Sequence, residues 1–399
     1  MKVLQVNCVY QKGSTGKIVY DIHRVLQDEK IESVICYGRG EKIDGAYKIC
    51  SEFYAKCNNL RSRLTGLMYG GCYLSTAKLT RIIQKEQPDV VHLHCINGYF
   101  VNIYRLITWL KKNKIRTVLT LHAEFMHTGN CGYSVECEQW KTGCKKCPRW
   151  KADTGSLFFN RTHASWEKMR KAFDGFEHLK IASVSPWLME RAKQSPILKK
   201  LDHTVVFNGV DTAIFRLYDT KELRKQHGLE NKKVIFYATA EFSTDPSHMK
   251  GGYYALEIAK RLPDVTMIVA AGRCNEEIDW PKNVIYLGRI SDQKLLAQYY
   301  AMADVCLLTS MRETFSMPTA ESMCCGTPVI GFEAGAPETI ALAQHSRFVK
   351  HGDLDALEQA LSSQLEKTKN PTISADAEKR YAKKVMAQNY IALYKELTR

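Results

Sequence analysis

Short runs rich in apolar and β-branched residues alternate with longer amphipathic runs along nearly the whole chain. That alternation predicts parallel sheets covered by helices. In the first half the strand-like runs are KVLQVNCV at 2–9, DVVHLH at 89–94, RTVLTLH at 116–122 and KIASVS at 180–185. In the second half they are KVIFYATA at 233–240, VTMIVAAG at 265–272, NVIYLG at 283–288, DVCLLTS at 304–310 and TPVIGF at 327–332. The pattern starts twice, near residue 2 and again near residue 232. Between the two starts, FNGVDTAIFR at 207–216 carries an Asn-Gly turn signal and no strand pattern, as a linker would. The last 25 residues, ADAEKRYAKKVMAQNYIALYKELTR, read as one long helix. At 399 residues the chain is too long for one ordinary core. The expected architecture is therefore α/β, with two Rossmann-like, doubly wound domains at 1–205 and 206–378. Residues 123–150 form an insertion in the first domain, and 379–399 form a terminal helix packing back toward it. In open sheets of this kind ligands bind at the carboxyl ends of the strands, so both domains are expected to face a common cleft.

Charge sharpens this picture. Residues 1–205 hold 33 Lys and Arg against 18 Asp and Glu, whereas 206–399 hold 24 of each sign. The whole excess of +15 sits in the first half. A solvated surface explains part of it. An anionic partner explains it more specifically: membrane lipid, a lipid diphosphate or nucleic acid, met through segments such as KKNKIR at 111–116 and KKCPRWK at 145–151. No apolar run approaches the roughly 18 residues a membrane span needs. The amino terminus, MKVLQVNCVYQ, has no uninterrupted apolar core of the signal-peptide kind. The expected location is cytoplasmic, with peripheral attachment at the inner face of the plasma membrane.

Of fourteen cysteines, ten are scattered as small reduced hydrophobes, which fits a reducing compartment. Cys131, Cys137, Cys144 and Cys147 crowd into GNCGYSVECEQWKTGCKKCPRW. Their C-x2-C pair and two nearby partners suggest a structural zinc held by four thiolates, with reduced thiols and a disulfide as the alternatives. His127 is a further candidate ligand.

Two loops carry candidate chemistry. GSTGKI follows the first strand and resembles an ATPase phosphate loop, but the spacing fails. Gln11 stands where the first glycine of that motif belongs, and Ile18 where its hydroxyl residue belongs. RETFSMPTAESMCCGTPVIGF at 312–332 lies between two strands, so it must hold a loop and a short helix. Pro318 suits the first turn of that helix. Amides around Phe315, Ser316 and Met317 would then sit at its positive end, a ready anion site. Glu313 in the loop and Glu321 on the helix can reach one ligand from two sides.

ETFSMPTAE resembles the E-x7-E motif of family 4 retaining glycosyltransferases, enzymes of the GT-B fold. DVVHLH, VLTLH, SVSPWLMERA, FNGVDTAIF, MKGGYYALEIAKRL and YAMADVCLLTS followed by CGTPVIGFEAGAPE resemble further family segments in the same order. The resemblance implies transfer of a sugar from a UDP- or GDP-linked donor to an acceptor hydroxyl, with no catalytic metal. It implies that Glu313 bonds the donor sugar, Glu321 the ribose, and Phe315, Ser316 and Met317 the sugar or diphosphate through their amides. Lys250 would neutralise the departing diphosphate. Gly13 and Gly16 would form the family's glycine loop beside donor phosphate and acceptor, and His122 would stand beside the transferred sugar. Base recognition would involve Arg289 and Ile290. The family's arginine shortly before the lysine is missing from ATAEFSTDPSHMKG, where Glu241 stands instead, with Arg289 and Arg273 as candidate substitutes. His92 and His94 read as structural or cleft-lining.

The expected acceptor is a glycan or polyprenyl-diphosphate-linked chain at an anionic membrane surface, in surface polysaccharide synthesis. Nucleic acid is not expected as a partner, because no binding module accompanies the basic segments. The rival readings are a catalytically weak nucleotide-sugar-binding protein and a nucleotide-sugar epimerase of the same fold.

Overall fold

The computed structural model describes residues 1–399. The chain divides into two compact units, one of Met1–Phe207 with Met386–Arg399 and one of Asn208–Val385.

The first unit is built on seven strands: β1 (Lys2–Asn7), β2 (Glu32–Tyr37), β3 (Tyr47–Lys48), β4 (Val90–Leu93), β5 (Thr117–Leu121), β6 (Leu179–Ser183) and β7 (Asp202–Val205). Their order is β3-β2-β1-β4-β5-β6-β7, and every neighbouring pair is parallel. β4 and β5 are buried at every position, as expected of parallel strands covered on both faces. The second unit holds β8 (Val234–Thr239), β9 (Thr266–Ala271), β10 (Val284–Gly288), β11 (Val305–Leu308), β12 (Val329–Phe332) and β13 (Ser346–Val349). Their order is β10-β9-β8-β11-β12-β13, again all parallel. Strand order reverses beside β1 in one sheet and beside β8 in the other. This is the two-domain α/β architecture of the GT-B fold.

Four strands lie outside the runs picked from the pattern. β3, β7 and β13 are edge strands, and β7 and β13 keep much of their length exposed or half-buried, so neither requires an apolar run. β2 buries only its last three residues fully. A strand with exposed or half-buried positions along much of its length does not advertise itself by hydrophobicity.

The carboxyl-terminal run is not one helix. It forms two, Thr372–Tyr381 and Lys383–Thr398, separated by Ala382 at φ −54°, ψ 135°. At the break, linker residue Val210 donates its N–H to the Tyr381 carbonyl at 2.7 Å and accepts from the Lys383 N–H at 2.9 Å. These tertiary bonds replace helical ones, which no local pattern could announce. Beyond the break, Met386, Tyr390 and Tyr394 pack with Ile18, Ile22 and Leu26 of the first helix, Gly13–Asp28, in the core of the first unit.

Candidate active site

In the second unit the site is assembled where β8 and β11 lie side by side and their connections diverge, the place where such sheets bind ligands. Backbone bonds stitch the loop after β8 to the loop after β11. The Met311 N–H donates to the Met249 carbonyl at 2.9 Å, and the Thr309 hydroxyl to the Gly251 carbonyl at 2.8 Å. The Tyr237 hydroxyl donates to the Lys250 carbonyl at 2.6 Å. Gly251 has φ +67°, and a Cβ there would fall 2.1 Å from the Thr309 carbonyl oxygen. Only glycine permits so close an approach.

This stitching brings Lys250 and Glu313 together. The ammonium donates to Glu313 Oε1 at 2.7 Å, with the two side chains 30% and 13% exposed. Glu313 is itself fixed by a short parallel bridge. Its N–H donates to the Ala334 carbonyl at 2.8 Å, and its carbonyl accepts from Ala336 at 3.1 Å. Glu338, not singled out from sequence, holds that neighbouring loop by accepting from the amides of Ala334 and Gly335.

The helix Met317–Cys324 begins immediately after. Its cap, Ser316, has φ +79°, and its hydroxyl lies 2.8 Å from that of Thr319. Pro318 occupies the first turn. Phe315 is buried with its ring against Tyr381, and Ser316 is buried as well. Their side chains are thus spent on the fold, so any ligand contact from this stretch falls to backbone amides at the helix's positive end. Glu321 stands further along the helix beside buried Tyr300, whose phenol is raised well above its ordinary range by burial and then by the Glu321 charge. Arg289 and Ile290 follow edge strand β10, two strands away from β8. Arg289 is exposed and Ile290 half-buried. Arg273, the other candidate for the missing arginine, is paired with Glu241 at 3.1 Å.

In the first unit, Gly13–Lys17 is not a loop. The loop spans 8–12, and Gly13 already opens the first helix at φ +66°. A Cβ at Gly13 would meet nothing within 4 Å, whereas at Gly16 it would press on Val9 and Gln11 backbone at 3.3 Å. Gly16 therefore serves close packing of helix on loop. Asn7 organises this end of the sheet. Its Oδ1 accepts from the Cys95 N–H at 3.0 Å, and its Nδ2 donates to the Val9 carbonyl at 2.7 Å.

His122, just after β5, heads a buried chain of rings. Its Nε2 lies 3.2 Å from His94 Nδ1, and the His94 ring lies 3.8 Å from that of His92. His92 bonds the Tyr394 hydroxyl at 2.6 Å and the Thr120 hydroxyl at 2.7 Å, and Thr120 reaches the Tyr390 hydroxyl at 2.9 Å. Burial pushes His122 down to about 4, and His92 and His94 well below the ordinary range. All three are neutral at pH 7, suited to hydrogen bonding and not to carrying charge.

A buried ion pair holds the cysteine-rich insertion to the first unit. Glu124 accepts from Arg191 at 3.0 Å and from the Ser134 hydroxyl at 2.7 Å. Burial opposes its charge, but His127, Arg191 and Ser134 together hold it down to about 2. Trp140 is buried under the Arg191 guanidinium. Cys131, Cys137, Cys144 and Cys147 are free thiols lining one small cavity with Trp140 and Asp153. The spacing of the four cysteines implied that they gather, as they do around this cavity.

Residues 232–367, which contain Lys250, Glu313 and the capped helix, match the family described as glycosyl transferases group 1. Residues 232–367 are a group 1 glycosyl transferase domain. Along its whole length the chain is 22% identical to the putative colanic acid biosynthesis glycosyl transferase WcaC of Escherichia coli K12, with 100% of both chains covered. It is also 22% identical to the N-acetyl-alpha-D-glucosaminyl L-malate synthase of Bacillus anthracis, over 69% of this chain and 63% of that one. Anabaena HepE, solved in complex with UDP-glucose, shares its fold with a TM-score of 0.65 at 17% identity, over 99% of this chain and all of that one. Sucrose-phosphate synthase from Thermosynechococcus elongatus does so with a TM-score of 0.67 at 14% identity, over 100% and 99% of the two chains.

Proposed function

We propose that the transferase moves a sugar, with retention, from a UDP- or GDP-sugar to a hydroxyl of a lipid-linked glycan in surface polysaccharide synthesis. The observation that carries this reading is the Lys250–Glu313 pair at the mouth of the β8–β11 switch, beside the start of a capped helix. An ammonium and a helix terminus supply fixed positive potential where a diphosphate leaving group accumulates charge. Lys250 exchanges its bond to Glu313 for the diphosphate. Glu313, relieved of its partner, accepts from hydroxyls of the donor sugar. Amides of Phe315, Ser316 and Met317 meet the sugar or diphosphate, Glu321 the ribose, and the segment around Arg289 and Ile290 the base.

In the first unit, His122 in its neutral form hydrogen-bonds a sugar hydroxyl, and the backbone at the start of the helix, around Gly13 and Gly16, approaches substrate. The bond from the anomeric carbon to the diphosphate oxygen breaks as the acceptor oxygen bonds the same face. The acceptor's proton passes to the departing phosphate, so no side chain serves as covalent nucleophile. Lys250 supplies charge that other transferases take from a metal ion. The relative named for colanic acid biosynthesis and the one crystallised with UDP-glucose support the pathway and the donor class.

A second reading, nucleotide-sugar binding without transfer, is favoured by one observation. Glu241 stands where the family has an arginine, and its charge is taken up by Arg273. Incubation with UDP- and GDP-sugars, with and without a lipid-linked acceptor, separates the two. Transfer predicts nucleoside diphosphate released in step with glycosylated acceptor. Saturable donor binding with no release under any acceptor would overturn it.

A further inference from the structure

The helix Glu52–Thr65 in the first unit is inside out. Its inward face is Ala55, Asn58 and Ser62. Asn58 is committed there, its Oδ1 accepting from the Cys72 N–H at 2.7 Å and its Nδ2 donating to the Tyr54 carbonyl at 2.8 Å. The Ser62 hydroxyl donates to the Leu67 carbonyl at 3.3 Å. The helix cannot turn over without stranding these buried polar groups. Its outward stripe is Phe53, Cys57, Leu60 and Leu64, at spacings of four, three and four that align on one face. Phe53 is 78% exposed and Leu60 54%.

The apolar surface continues onto its neighbours. The segment after Gly155 is bound to the helix end, with the Leu157 N–H donating to the Arg63 carbonyl at 2.9 Å, and it turns out Phe158 at 65% exposure. On the other flank the Leu74 N–H donates to the Tyr54 hydroxyl, and Leu74 is 73% exposed. Eight of the twelve large apolar side chains exposed on the whole chain lie on this one face, far beyond scattered exposure.

Positive charge surrounds it. Lys56, Arg61 and Arg63 are exposed on the helix, and the Arg161 guanidinium lies over the Phe159 ring. Next to Tyr73 opens a groove of about 460 Å³ lined by Arg105, Lys112 and Lys168 together with Trp109. The acids of the adjoining elements are already paired: Glu52 with Arg39, Asp153 with Arg149 and Glu167 with Arg170.

We infer that this face docks on an anionic lipid bilayer, with Phe53, Leu74 and Phe158 entering the interface and the groove cations meeting lipid phosphates. Apolar side chains that enter the headgroup region, ringed by Lys and Arg, are what such a surface binds. A second copy of the chain would bring the same cations face to face, so the charge favours lipid over self-association. The inference rests on the lipid-linked reading for its purpose, yet it is measured without any sugar transfer.

The test is flotation of the full chain with phosphatidylglycerol vesicles and with phosphatidylcholine vesicles. The intact chain is expected to float with the anionic vesicles and to be released by salt. The triple variant Phe53→Ser, Leu74→Ser, Phe158→Ser should lose at least tenfold in bound fraction with unchanged circular dichroism. These side chains are highly exposed, so the variant is expected to fold. Failure of the intact chain to float, or equal flotation of the variant, overturns the inference. So does sedimentation as a dimer that the variant abolishes, which would assign the face to a second copy. Flotation without acceptor-dependent nucleotide release would instead overturn the transfer reading and leave the docking surface standing.

Discussion

At the scale of single residues, Lys250 is the most exposed to test. It is bound to Glu313 at 2.7 Å while the two remain partly open to solvent, so the pair is held together and still reachable. Replacing Lys250 with Met removes the cation proposed to oppose leaving-group charge. kcat/KM for the nucleotide sugar should fall about 10²–10³-fold, the scale of losing one preorganised electrostatic contact. A variant as fast as the parent in steady-state assays sinks the assigned role. His94 is the second case. Its partner is His122, and its Nε2 has no hydrogen-bond partner in the buried chain. His94→Ala deletes that contact, and nitrogen chemical shifts of His122 should then report a changed tautomer balance. Unaltered shifts would mean that His122 is oriented by other neighbours. The sequence placed His122 at a strand end, and it put His92 and His94 on one strand face, but not the contact between the two strands.

At the scale of elements, the loops after β8 and β11 act as one piece because Gly251 lets them touch. Gly251→Ala meets the Thr309 carbonyl at 2.1 Å and also forces a side chain into positive φ. The backbone conformation alone costs about 1–3 kcal/mol. Urea unfolding should report at least that loss, and donor affinity should fall with it, since Lys250 is the adjoining residue. The start of the helix Met317–Cys324 was legible from Pro318 and the acids around it. The cap geometry at Ser316 and the inward turn of Phe315 were not, because both depend on what lies beneath them. The expected glycine loop at Gly13–Lys17 failed for a related reason. Glycine marks where backbone must come close, and it does not say whether the close neighbour is a ligand or, as at Gly16, the preceding loop.

For the whole molecule, two consequences follow from how the first unit is closed. Tyr390 and Tyr394 are fully within its core and bond His92 and Thr120. Truncation before Met386 therefore opens the core and strands those hydrogen bonds, and the product should be insoluble or molten by near-ultraviolet circular dichroism. A truncated chain with native near-ultraviolet signal would contradict this. The second consequence concerns acid. His92, His94 and His122 all have folded pKa values depressed below 6.5, so the folded state binds fewer protons than the unfolded one. Their contribution is complete above about pH 6.5 and is lost as pH falls from there toward about 4. Thermal midpoints should drop through that window, and the His92→Gln variant should drop less.

The sequence by itself determined the α/β class, the two starts of the sheet pattern, nine of the thirteen strands and the start of the helix at Pro318. Those features are written in local periodicity and in the order of residue types, which the chain carries wherever it goes. Only the tertiary structure decided that Lys250 meets Glu313, that three histidines stack into one chain under the last helix, and that a terminal helix breaks at Ala382. It also decided that one surface helix turns its apolar side outward. Each of these is set by contacts between residues far apart in sequence, where direction and distance, and not composition, fix the energy.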